Sequence, residues 1–202
     1  GAKVIVYDTD GKSYENTTDI NGVAKIDVPA NGSYLIVIKD EYYILTTVTV
    51  AGDTTITVNA SAMHYANITS TPINVDAKVK LSTFNYTITI TTNVTVYASA
   101  SLNITYPEEV SKFPFKYVLE NITYDGVETN ETTITLDMAR DYSVNANYSR
   151  TFYMTLECWM VAAIVVVIVV ALLVAWKAGS KTAKAMIQQW KSVNRKFVKK
   201  KG

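Results

Sequence analysis

The sequence predicts an all-β N-terminal part, built as two tandem β-sandwiches, followed by one transmembrane helix and a basic amphipathic helix. Three observations predict it. Short alternating runs separated by turn residues fill positions 1–155, Cys158 to Trp176 runs for nineteen residues without a charge, proline or glycine, and nine Lys or Arg with no acid follow from Lys177 onward. Ten basic and all eighteen acidic residues remain in front of the helix. The formal net charge of +1 therefore hides −8 on one side of the apolar run and +9 on the other.

Residues 1–60 make the first module. Asp8-Thr9-Asp10-Gly11, Asp19-Ile20-Asn21-Gly22, Pro29-Ala30-Asn31-Gly32 and Ala51-Gly52-Asp53 are turn chemistry. They predict strands near Lys3–Tyr7, Val23–Val28, Ser33–Lys39, Tyr42–Val50 and Thr54–Ala60. In the second of these Ala24, Ile26 and Val28 share one face and Lys25 and Asp27 the other, the half-buried strand pattern. The order from Thr18 to Ile38 resembles the carboxypeptidase-regulatory-like and Cna-B-like β-sandwich modules. That resemblance implies a transthyretin-like or Ig-like fold over about 60 residues and no activity, since such modules serve as spacers, stalks and adhesive units.

Residues 61–155 make the second module. From 84 to 106, Phe84, Tyr86, Ile88, Ile90, Val94, Val96, Leu102, Ile104 and Tyr106 fall on even positions and most Asn, Thr and Ser on odd ones, too long a run for one strand. Two strands are expected, joined near Thr91–Asn93 or Ala98–Ser101 with phase kept. Later strands are expected at Lys116–Tyr124, Thr132–Met138 and Asp141–Tyr148. The last, D-Y-S-V-N-A-N-Y, resembles the closing strand of Ig-like repeats in microbial surface proteins. The boundary between modules is expected near Ala60–Thr71.

The transmembrane helix is placed at 156–178. Nineteen helical residues span about 28 Å, close to the roughly 30 Å hydrocarbon core. Trp159 and Trp176 stand at its ends, where indoles favour the headgroup boundary, and Lys177 follows. The charge asymmetry places the tail inside and the β part outside. Ala171, Ala175, Gly179 and Ala183 recur every four residues, the spacing that lets helix backbones pack closely. Cys158 reads as an apolar filler, with lipidation or interchain pairing as the other readings. Gly179-Ser180 marks a point where the helix is expected to bend or break. In the tail, 179–202, Met186, Trp190, Val193 and Phe197 share a helical face, with Lys184, Lys191, Arg195 and Lys199 largely off it. An anionic inner leaflet is its expected surface, then a partner protein; nucleic acid is the least favoured.

Asn-x-Ser/Thr occurs at Asn16, Asn31, Asn59, Asn67, Asn85, Asn93, Asn103, Asn121, Asn130 and Asn147. Composition alone would place about three of the Asn residues in such sequons, and the tail holds none, so a heavily N-glycosylated outer part is expected. One His, His64, excludes a common imidazole metal site. Asp8, Asp10 and Asp19 offer loop oxygens, but D-T-D-G falls short of an EF-hand loop, so no metal site is expected. Pairs such as Asp40-Glu41 and Glu108-Glu109 read as solvated turn charges. With no G-x-S-x-G, phosphate loop or H-E-x-x-H, neither catalytic residues nor a cofactor are expected. A single Cys excludes an intrachain disulfide, and Gly1 reads as a processed or trimmed end.

The Thr-, Tyr- and Asn-rich, Cys-poor composition resembles archaeal-type surface or virion envelope glycoproteins. The resemblance implies a structural, non-enzymatic membrane protein in a larger envelope assembly, a surface-layer stalk or an enveloped-virion coat subunit. Expected partners are the lipid bilayer, N-linked glycans, and copies of itself or other envelope proteins. An accessory subunit of a membrane enzyme or transport complex, and an adhesin or receptor, are the alternatives.

Overall fold

The computed structural model describes residues 1–29, 31–153 and 156–198, and the side-chain surroundings of these apart from residues 156–158, 180–183, 185 and 191–198. Gly1–Phe152 form one compact unit and Tyr153–Gly202 a second. The first is β throughout. It opens with β1 (Lys3–Tyr7), β2 (Ser13–Thr17), β3 (Gly32–Lys39) and β4 (Tyr43–Val50). After a 3₁₀ turn at Ala60–Ala62 come β5 (His64–Thr71), β6 (Asp76–Leu81), β7 (Ile88–Thr91), β8 (Val94–Ala98) and β9 (Leu102–Thr105). It closes with β10 (Glu109–Lys112), β11 (Phe115–Tyr124), β12 (Val127–Thr129), β13 (Thr133–Leu136) and β14 (Tyr142–Phe152).

These strands make two sheets. The larger runs β10-β11-β14-β5-β8-β4-β3-β1-β2, with β12 added on β11; the smaller runs β13-β9-β6-β7. Pairing is antiparallel except at β14–β5 and β4–β8. The end strands β2 and β10 are short, polar and mostly exposed, which discourages edge pairing with another chain.

The sheets share one core in a sandwich-like arrangement. Ile68 of β5, Val96 of β8 and Val144 of β14 meet Val79 of β6, Leu102 and Ile104 of β9 and Leu136 of β13 in one buried cluster. The alternation from Phe84 to Tyr106 keeps its phase although the chain makes three strands there, β7 in the small sheet, β8 in the large and β9 back in the small. Both expected breaks are used. Asn93 turns the first with φ of 69°, a left-handed conformation that Asn tolerates better than most residues.

A second, smaller cluster lies on the other face of the large sheet: Val4, Val6, Tyr34 and Ile36, with Ala24, Ile26 and Val28 against them. Tyr34 to Val37 are consequently buried on both faces. The expected strand at Val23–Val28 is not one. Its alternation is real, because positions 24, 26 and 28 are half-buried and 25 and 27 exposed, but the segment covers the sheet instead of joining a ladder. Asn16 Nδ2 donates to the Lys25 carbonyl at 2.7 Å. Nor do residues 54–59 form the expected strand; they are mostly exposed. The expected module boundary near 60 falls on the 3₁₀ turn, and the large sheet runs across it through β4–β8.

Turn chemistry explains the tight corners. Asp8 Oδ1 accepts from the Asp10 and Lys12 amides, and Asp19 Oδ1 repeats this with Asn21 and Val23. Gly11, with φ of +83°, also lies under Tyr86, where a Cβ would come within 2.7 Å of the ring. Tyr86 stacks on Tyr7 at 4.5 Å.

Two phenols sit within the sandwich. Burial raises the Tyr106 pKa, Tyr148 adding to it, and burial pushes Tyr148 up to about 12. Their hydroxyls donate to the Thr69 carbonyl at 3.4 Å and the Pro107 carbonyl at 2.7 Å.

Ile104→Ala, opposite Val79 and Ile134 in register, is expected to cost about 2–5 kcal/mol in urea titrations of the micelle-solubilised chain. Amide exchange should show β3 losing protection together with β9; protection retained in β3 alone would refute a shared cooperative unit. A phenol with a raised folded pKa contributes its full stability below the unfolded value of 10.0 and loses that contribution as pH rises towards 12. Tyr148→Phe should therefore lose less stability between neutral pH and about pH 11 than the parent does, measured by circular dichroism; an equal loss refutes the assignment.

Candidate glycosylation surface and membrane-spanning helix

The outward face of the large sheet carries a polar ladder. Because β5, β8 and β14 turn their even residues inward, their odd residues, including Asn67, Thr69, Thr71, Thr95, Asn145 and Asn147, lie on the opposite side. The register sets Asn67 beside Thr95, Asn145 beside Thr69 and Asn147 beside Thr71. Hydrogen bonds follow. Asn147 Nδ2 donates to Asn121 Oδ1 and Asn145 Nδ2 to Asn147 Oδ1, both at 2.6 Å. Thr95 Oγ1 donates to Asn67 Oδ1 at 2.8 Å, and Thr69 Oγ1 to Asn145 Oδ1 at 3.0 Å.

Asn121 reaches this face through a bulge. Tyr117 and Leu119 are paired with Arg150 and Tyr148, but Asn121, not Glu120, is paired with Asn147. The extra residue switches the inward phase of β11 from Tyr117 to Ile122, which releases Asn121 outward. Its Nδ2 then donates to Glu128 Oε1.

The ten sequon asparagines thus fall into two sets. Asn16, Asn31, Asn59, Asn85, Asn93 and Asn130 are exposed; Asn67, Asn103, Asn121 and Asn147 are half-buried. In the first set, Asn59 caps the 3₁₀ turn through the Ser61 amide, and Asn85 accepts from Lys80 Nζ at 2.7 Å. In the second, Asn103 stands on the outer face of β9 between Lys80 and Thr135, and its Oδ1 is buried without a hydrogen-bond partner.

The second unit contains helix α1 (Leu156–Val198), 43 residues and about 64 Å long. Trp159–Gly179 is long and apolar enough to cross a membrane: 21 residues with mean hydropathy 3.0, none of it buried. Trp159 is 58% exposed and Trp176 77%. Leaving so many Val, Ile and Leu side chains in water would be strongly unfavourable, at roughly 25 cal/mol per Å². The helix does not break at Gly179-Ser180, where a bend was expected. Backbone N–H groups there pair within the helix, and one Gly costs only about 1 kcal/mol against Ala.

Ala171, Ala175 and Gly179 repeat along one helical face, and a Cβ on Gly179 would meet nothing within 4 Å. The Ala183 side chain lies outside the described residues, as do those of Cys158, Lys191, Val193, Arg195 and Phe197, and Lys199 entirely. Met186 and Trp190 are exposed, Trp190 at 67%. Lys177 follows Trp176 within the same uninterrupted helix.

His64 Nδ1 lies 3.1 Å from Asp141 Oδ1, which also accepts from the Tyr65 amide, beside an open depression lined by Ala60–Tyr65, Tyr97 and Asp141. The Ser61 hydroxyl at that depression donates to Asn59 Oδ1. Among the described residues no three His, Cys, Asp or Glu side chains gather where a metal ion could be held. No family model, curated protein or solved structure matches the chain.

Proposed function

We propose that the chain is a structural, non-enzymatic surface glycoprotein: β-sandwich modules displayed outside, one membrane-spanning helix, and a basic tail on the inner side. One observation carries this reading. A wholly unburied apolar span of 21 residues follows, in one chain, a β unit in which every sequon lies. The asymmetry of −8 before the span and +9 after it supports the orientation. Sheets sharing one core, with β14 lodged between β11 and β5, support an Ig-like reading of 61–155.

In this role the chain is a subunit of an ordered envelope, a surface-layer stalk or a virion coat protein of archaeal type. Copies pack through Ala171, Ala175, Gly179 and Ala183, with Trp159, Trp176, Lys177 and Trp190 at the membrane boundaries. The accessory-subunit reading draws support from the helix itself. Its apolar Met186 and Trp190 continue past the span without a break, a surface suited to a partner helix as well as to lipid.

Glycopeptide mapping of protein from its native membranes should find glycans mainly on Asn16, Asn31, Asn59, Asn85, Asn93 and Asn130. Occupancy should be low at Asn121 and Asn147, which face each other about 5 Å apart across neighbouring strands. A bare polypeptide mass would overturn the glycoprotein reading. Protease added to sealed native vesicles should cut one side of the span only. Cleavage of the Lys-rich tail from the glycan side would overturn the orientation.

A further inference from the structure

Phe113 and Phe152 are the two most exposed Phe, Tyr or Trp side chains among the described residues of Gly1–Phe152, at 71% and 59%. They lie at one end of the large sheet. Lys112 of β10 and Phe152 of β14 are both in register with Phe115 of β11, and Phe113-Pro114 is the turn between β10 and β11. The Phe115 ring meets Phe152 edge-on at 6.1 Å, and the Arg150 guanidinium sits 4.6 Å over it. Turns of β-hairpins ordinarily take Gly, Pro, Asn, Asp or Ser; this one presents the apolar Phe113 ring, with Lys112 before it in the chain donating its Nζ to the Asn74 carbonyl at 3.0 Å.

The covalent chain restricts what can cover this tip. Phe152 is seven residues before Trp159, at most about 24 Å of extended chain. Wherever Trp159 sits at a lipid boundary, Phe152 is tethered within that distance of the same leaflet, and the β10–β11 turn lies two strands, about 10 Å, from it. Exposed Phe rings bury at the boundary between headgroups and acyl chains while flanking cations stay towards phosphate.

We propose that Phe113 and Phe152, backed by Phe115 and Arg150, form a second membrane contact, seated in the headgroup layer of the leaflet from which the helix emerges. This rests on the helix crossing a bilayer, as proposed above. It adds a contact that fixes the sandwich at the lipid surface.

The full chain, carrying Cys158→Ser, is reconstituted in nanodiscs of phosphatidylcholine and phosphatidylglycerol. Single nitroxide labels go on Phe113→Cys, on Phe152→Cys, on Val127→Cys and on Val166→Cys. Val127 is half exposed and belongs to β12, at the far end of β11, roughly 33 Å from the tip. Labels at 113 and 152 should show several-fold higher collision rates with oxygen, relative to a water-soluble nickel chelate, than the label at 127. Nickel access at 113 and 152 equal to that at 127 overturns the contact. Low access to both reagents means protein covers the tip and overturns it too. The Val166 label separates the two readings: nickel-accessible, it removes the span and the contact with it; oxygen-accessible with a wet tip, it removes the contact alone.

Discussion

Exclusion of water from one core shared by two unequal sheets is the constraint on which this fold depends. Each strand must turn one phase of its sequence towards that core, even positions in β5, β7, β8, β9 and β14 and odd ones in β3 and β6. The connections from β7 to β9 preserve the phase, so Ile90, Val96 and Leu102 lie on three strands of alternating sheet membership yet keep even numbering. The corollary sets the surface. The outward positions of β5, β8 and β14 carry Asn and Thr, whose cross-strand amide and hydroxyl pairs satisfy one another without drawing charge into the protein.

The bulge at Glu120 follows from the same constraint. β11 starts with odd residues inward, Tyr117 and Leu119, and finishes with Ile122 and Tyr124 inward. Without an added residue, Asn121 would be driven into the core, where an unpaired amide costs several kcal/mol, and Ile122 would be turned out. One unpaired residue in the ladder is the smaller loss.

Legibility in the sequence tracked how local the determinant is. Lys3–Tyr7 was readable to the residue, because alternation and flanking turns both lie within a few positions. Ala24, Ile26 and Val28 were readable as a buried stripe, but whether a stripe joins a ladder or caps a face depends on distant Val4 and Tyr34. The β4–β8 pairing, which carries the first sixty residues onto the sheet of the rest, joins Tyr43 to Val96 across the chain and left no local mark. By contrast, Tyr124-Asp125-Gly126-Val127 did carry a signal: Asp125 and Gly126 have φ of 48° and 80°, the two-residue hairpin favoured by Asp-Gly. For the candidate surface, the sequons themselves were legible. Which of them stand clear, and that Asn121 and Asn147 face one another, required the register.

The helix shows the same division between local and distant causes. Its apolar span is a composition signal and needs no partner in the chain to be recognised. Its continuity past Gly179 is a balance: the single glycine weakens the helix by about 1 kcal/mol, while Lys184, Ala185, Met186, Gln188 and Gln189 just beyond are good helix formers. Each turn also builds on a preceding turn already fixed, so the costly nucleation step is not repeated after the span. A tail of this composition in isolation would be marginal as a helix; joined to 21 apolar residues, it is an extension of a helix that already exists.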